Sequence, residues 1–103
     1  MGSLMRASGL GRELGRPVAM IPDPPFELFH AIADPASARV RRFVSEAGLH
    51  TAVKLRNVHY PEVQADFAAR GGKTLPAVWD GERLYEGAEA SIGRLRAHLG
   101  ARR

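Results

Sequence analysis

The stretch "ADPASARVRRFV" (33–44) decides how this chain is read. Asp34 is a strong helix N-cap, because its short carboxylate accepts hydrogen bonds from the free N–H groups of a first turn. Pro35 fits the first helical position, where a missing N–H costs nothing. Val40, Phe43, Val44 and Ala47 then recur at helical spacing with Arg39, Arg41 and Arg42 between them, and Gly48 supplies a left-handed stop. The spacing predicts a capped amphipathic helix from 35 to 47. Asp34 and Ser37 stand at N-cap and N3 spacing, so each can satisfy the other without any chemistry.

The segments around this helix alternate in type. "FELFHA" (26–31) reads as a strand. "TAVKLRNV" (51–58) alternates Lys54 and Arg56 against Val53 and Leu55, which predicts a strand buried on its Val53/Leu55 face. "YPEVQADFAARGG" (60–72) starts a short helix at Pro61, pairs Val63 with Phe67 one turn on, and stops at Gly71-Gly72. "PAVWDGERLYE" (76–86) sets two β-rich runs around Asp80-Gly81, a strong hairpin signal. "AEASIGRLRAHL" (88–99) repeats Ile92, Leu95 and Leu99 as a closing amphipathic helix. The order is β-α-β-α-β-β-α. A helix joins the first two strands, so they should run parallel through a right-handed crossover. One four-stranded mixed sheet with helices on both faces follows.

Composition narrows the function classes. Of 103 residues none is cysteine, which excludes disulfides, thiolate metal sites and any thiol nucleophile in this chain. His30, His50, His59 and His98 form no pair at helical metal-ligand spacing, so no metal site is expected. The 15 Lys and Arg exceed the 11 Asp and Glu by +4, with a pI near 10.3. The excess is spread without aromatic interleaving, so it reads as a solvated arginine-rich surface and not as a specific nucleic-acid site. No segment approaches the roughly 20 apolar residues of a membrane span. The longest apolar run near the start, "VAMI" (18–21), is too short for a signal core, which points to a cytoplasmic protein. Residues 1–25, rich in Gly and Pro, read as a flexible tail ahead of a domain at 26–100, and Met20 is a candidate start codon.

The element order is that of the thioredoxin fold in its minimal glutaredoxin form, and Phe26–Leu99 resembles a glutaredoxin or the N-terminal domain of a glutathione S-transferase. "DPASARVRRFVSEAGL" (34–49) is similar to the first helix of omega-class and related bacterial transferases, which begins Cys-Pro. "GGKTLPAVWDGERLYEGAEASIGRL" (71–95) resembles their segment from the proline loop through a Glu-Ser motif to the last helix. The resemblance implies strand order 2-1-3-4 and a cis Leu75–Pro76 bond. It implies that the Leu75 backbone holds the peptide part of glutathione and that Glu86-Gly87 faces its γ-glutamyl end. Lys73 and Ala88 complete the implied ligand set, Lys73 toward a carboxylate and Ala88 through its amide at a helix start. Two departures matter. Asp34 stands where the family's cysteine stands, and Gly87 replaces the serine.

Three readings remain open on the sequence. One is a cysteine-less binding module with a weak or vestigial glutathione or peptide site beside Pro76, without thiol-disulfide chemistry. Another is a glutathione S-transferase-like enzyme or subunit using Ser37, the one catalytic candidate. The third is a structural or assembly protein. "GGKT" (71–74) mimics the end of a phosphate loop, but Phe67 occupies the position of its first glycine and the context is helix-to-strand.

Overall fold

Phe26 to His30 forms β1, and its alternation sets Phe26, Leu28 and His30 on one face and Glu27 and Phe29 on the other. The structure is a computed structural model and describes residues 23–101, so the expected tail lies outside the described residues for its first 22 positions. The elements are β1 (Phe26–His30), α1 (Pro35–Glu46), β2 (Val53–Asn57), α2 (Pro61–Ala69), β3 (Ala77–Trp79), β4 (Leu84–Glu86) and α3 (Ala88–Ala101). They build one sheet in the order β2-β1-β3-β4, with β1 and β2 parallel and the other pairs antiparallel. Leu75–Pro76 is cis. Fold class, strand order and the cis bond agree with the reading of the sequence.

α1 and α3 cover the face of Phe26, Leu28 and Val78 with Val40, Val44, Ile92 and Leu95. α2 covers the other face, packing Val63 and Phe67 on Phe29 and Ala77. Each such side chain contributes roughly 1.5–3 kcal/mol through burial. β1 is therefore buried on both sides.

The helix ends follow the sequence. α1 is capped by Asp34, has Pro35 in its first turn, and ends before Gly48 at φ 69°. The hairpin turn is wider than the Asp80-Gly81 pair implies. Asp80 accepts the Glu82 and Arg83 amides on its carboxylate, and its own N–H bonds the Arg83 carbonyl, so four residues (80–83) make the turn. An aspartate that bonds the backbone ahead of it sets a longer turn than a bare glycine pair does.

Two expectations need correction. Leu55 is exposed although Val53 on the same face is buried, and β2 is an edge strand with a neighbour on one side only. The arginines are not uniformly solvated either. Arg56 and Arg70 each bridge Glu27 and Asp66, closing a four-residue ring, and both guanidinium groups lie over Phe29 at 5.3 Å. Arg70 also covers Trp79, and Arg94 bonds Asp80 at 3.1 Å while covering Phe26.

Gly72 is fixed by close approach. A Cβ there would overlap the ring of Phe67, which is itself packed on Phe29. Gly72→Ala should therefore cost about 1–3 kcal/mol, read by urea unfolding. Stability unchanged from the parent would show that Phe67 yields without cost.

Candidate functional site

The candidate site lies where one edge of the sheet gathers four loops. β1, β2 and β4 run in one direction and β3 against them, so the carboxyl ends of three strands meet the amino end of β3. Open α/β sheets bind ligands outside this edge. Here it carries the β1–α1 loop, the β2–α2 loop, the cis-proline turn and the start of α3.

The start of α1 is closed by its own side chains. Asp34 Oδ2 accepts the Ser37 amide at 3.0 Å and the Ser37 hydroxyl at 2.8 Å, and Ser37 Oγ in turn accepts the Ala31 amide at 3.2 Å. Ser37 is completely buried. The Ser37 hydroxyl bond is the largest of the effects that hold the Asp34 carboxyl below its ordinary value, so Asp34 is ionised at neutral pH. The helix N-terminus thus already faces an anion, supplied from within the chain.

Arg41 organises the preceding loop, a role sequence reasoning missed. Its guanidinium donates to the Ala31 carbonyl at 3.1 Å and the Ile32 carbonyl at 3.2 Å, and it meets His30 Nδ1 at 3.0 Å. Since Arg41 can only donate, His30 accepts and is neutral. Burial first, and the Arg41 charge second, push the His30 pKa below 6.5. The spacing 30/41 gave no local signal, because it joins a strand to the second turn of a helix.

The cis-proline turn is held by β4. Glu86 Oε1 accepts the Lys73 amide at 2.8 Å and the Thr74 amide at 2.6 Å, and these bonds lower the Glu86 pKa. Gly87, at φ 91°, donates its N–H to the Pro76 carbonyl at 2.7 Å. The structure therefore brings Lys73, Leu75, Pro76, Glu86, Gly87 and Ala88 together. Two of them are more committed than the sequence implies: Glu86 has one oxygen engaged, and Gly87 has no N–H left for a ligand. Groups without protein partners among the described residues are the Leu75 N–H and C=O, the Ala88, Glu89 and Ala90 amides in the first turn of α3, and Glu86 Oε2. Lys73 is exposed. Glu89 does not cap α3 but pairs with Arg39 at 2.7 Å, tying the starts of α1 and α3 together.

Among the described residues no three His, Cys, Asp or Glu converge as a metal site, and no helix is long and apolar enough to cross a membrane. Lys and Arg balance Asp and Glu over residues 23–101, so the net +4 belongs to the segments 1–22 and 102–103.

No protein-family model matches the sequence, and no curated protein matches it. Among solved structures the chain is similar to a buckwheat glutaredoxin crystallised as its glutathione complex. The identity is 16% and the TM-score 0.55, over 78% of this chain and 76% of that one. It is similar as well to the holo form of glutaredoxin C1 from Populus tremula x tremuloides, at 17% identity and TM-score 0.55, over 77% and 74%. A mutated buckwheat glutaredoxin matches at 16% identity and TM-score 0.56, over 78% and 76%. At these identities the likeness is one of fold. The chain has the glutaredoxin-type thioredoxin fold and carries it without cysteine.

The site's titration is testable. His30 is held neutral in the fold, so its stabilising effect is full above pH 6.5 and is lost as pH falls from there toward its lowered folded value. Asp34, Glu86 and Asp80, the last held at about 2, act only below their ordinary values of 3.8 to 4.5. Burial raises Asp80, but the Arg83 and Glu82 amides and Arg94 outweigh it. The thermal midpoint should therefore fall between about pH 7 and about pH 5, and His30→Gln should flatten that fall. An unchanged slope in the variant would assign the effect elsewhere.

Proposed function

We propose that this chain is a cysteine-free binding module of glutaredoxin fold that takes glutathione weakly, in the thiol form, at the turn around Leu75 and Pro76. The half-buried Leu75 peptide carries this reading. Its N–H and C=O have no partner among the described residues and sit beside a cis bond. Backbone groups kept partly from water and left unpaired cost free energy, which an extended ligand recovers by pairing as an added strand. The cysteinyl residue of glutathione has that form. The γ-glutamyl carboxylate would meet the free amides at the start of α3, and its ammonium would meet Glu86 Oε2. Lys73 would face the glycine carboxylate. A glutaredoxin neighbour of the same fold crystallised with glutathione supports the ligand class.

Binding without activation follows from Asp34. The ionised carboxylate lies at the helix start where a thiolate would otherwise be stabilised, and like charge disfavours forming one there. The serine of the Glu-Ser motif is absent at Gly87, and a hydrogen bond to a charged group is worth roughly 1.5–3 kcal/mol. That loss weakens binding by about 10- to 150-fold, which leaves an affinity on the order of millimolar. The transferase-like alternative is less favoured, since the Ser37 hydroxyl proton goes to Asp34 and its lone pair takes the Ala31 amide.

Titration with reduced glutathione to several times millimolar should shift the amides of Thr74, Leu75 and Ala88, followed by NMR. If they stay still, the turn is a structural remnant. The protein should show no turnover with glutathione and a mixed-disulfide substrate. Measurable turnover would overturn the non-catalytic reading. The Asp34→Cys thiolate should attack oxidised glutathione, breaking its S–S bond to form a mixed disulfide and release one reduced glutathione, detected by mass, because a helix N-terminus lowers a thiol pKa.

A further inference from the structure

The outer edge of β2 is open, and its exposed groups share one pattern. The Phe26 amide bonds the Ala52 carbonyl and the Val58 amide bonds the His30 carbonyl. In a parallel ladder alternate residues face the same neighbour, so 52, 54, 56 and 58 face β1 and 53, 55 and 57 face outward. The Val53 and Leu55 N–H and C=O groups and the Asn57 N–H consequently have no strand partner, since β2 pairs with β1 alone among the described strands. The exposed large apolar side chains of the described residues are Ile32 at 64%, Leu55 at 51% and Tyr60 at 52%. Leu55 is the middle residue of this edge. Ile32 lines a groove of about 460 Å³ at its upper end, with Ala31, Ala33, Asn57, Val58 and His59. Tyr60 follows directly in the chain. Unpaired backbone and the exposed Leu55 side chain meet at one strand edge.

We propose that this edge receives an extended segment of a partner protein that alternates apolar and acidic residues, added to the sheet as a strand beside β2. Its apolar side chains would lie over Leu55, and its acidic side chains would fall on the opposite face beside Lys54. Lys54 is exposed and makes no ion pair among the described residues, whereas Arg56 is consumed by Glu27 and Asp66. Charge selects this occupant over a second copy. Antiparallel pairing of two β2 strands about Leu55 sets Lys54 of each copy beside Arg56 of the other, whose carboxylate partners are already engaged, so a second copy offers Lys54 no carboxylate. The edge lies on the far side of β2 from β3, so it is separate from the ligand turn at Leu75–Pro76.

The test uses the full chain, isotope-labelled, with the peptide acetyl-Glu-Val-Glu-Ile-Glu-Val-amide and its counterpart with lysine for glutamate. The acidic peptide should shift and protect the amides of Val53, Leu55 and Asn57. It should bind about two- to fivefold more tightly than the lysine peptide for each charge pair formed. Lys54→Glu should reverse that preference without touching the inner ladder. Leu55→Pro removes an outward N–H only, a place where edge strands accept proline, and should abolish the protection. Equal binding of both peptides, or no shift at these amides, would overturn the proposal. So would amides already protected in the protein alone, from a concentration-dependent dimer or from residues 1–22 lying on the edge.

Discussion

β1 is buried on both faces, and most of the architecture answers that constraint. Leu28 and Phe29 are neighbours in sequence, point in opposite directions and are both completely buried. A central strand of this kind should be apolar throughout, yet it carries Glu27. A half-buried carboxylate is tolerated only when paired and hydrogen-bonded. The ring of Arg56, Asp66 and Arg70 does this from β2, from α2 and from just beyond the end of α2, so it joins three successive parts of the chain around one charge. The guanidinium planes then cover Phe29 and Trp79, and the pairing charges become part of the roof of the second core.

How far the sequence revealed this depends on the range over which each feature is determined. The cap at Asp34, the stop at Gly48 and the helix start at Pro61 rest on residues within one turn of each other, and they were legible. So were the parallel first pair and the closing hairpin, whereas the strand order came through the resemblance that these elements carry. The ring was not. Glu27 is 29 residues from Arg56 and 43 from Arg70, and nothing local marks them as partners. Leu55 was misread because alternation reports which face a side chain takes and not whether a helix covers that face. The four-residue turn at Asp80 was hidden for a smaller reason. Asp-Gly specifies a tight pair only if the aspartate side chain does not reach ahead to Glu82 and Arg83.

The cis-proline turn was legible as a place but not in its hydrogen bonding. Leu75, Pro76, Glu86 and Gly87 do come together, but two of the groups read as ligand contacts first hold the turn itself. Glu86 accepts the Lys73 and Thr74 amides, and Gly87 donates its N–H to the Pro76 carbonyl. The turn is thereby fixed by β4 and the start of α3, with no contribution from the start of α1. A chain that has aspartate in place of a thiol can therefore keep the turn intact.

That independence bears on how the two ends of the site act. If the proline turn and the start of α1 were held by a shared network, the residue at position 34 would bear on the Leu75 backbone. Here the α1 start closes on itself through Asp34, Ser37 and Ala31, and Arg41 secures the loop before it. Beyond the core that α1 and α3 build together, the polar link between the two is the exposed Arg39–Glu89 pair, and an exposed pair contributes little. The two ends of the candidate site are consequently held by separate hydrogen-bond networks in this chain. Leu75 and the α3 amides offer backbone pairing whatever stands at position 34. At position 34 an ionised aspartate already faces the helix N-terminus, which leaves no deficit there for a second anion to fill.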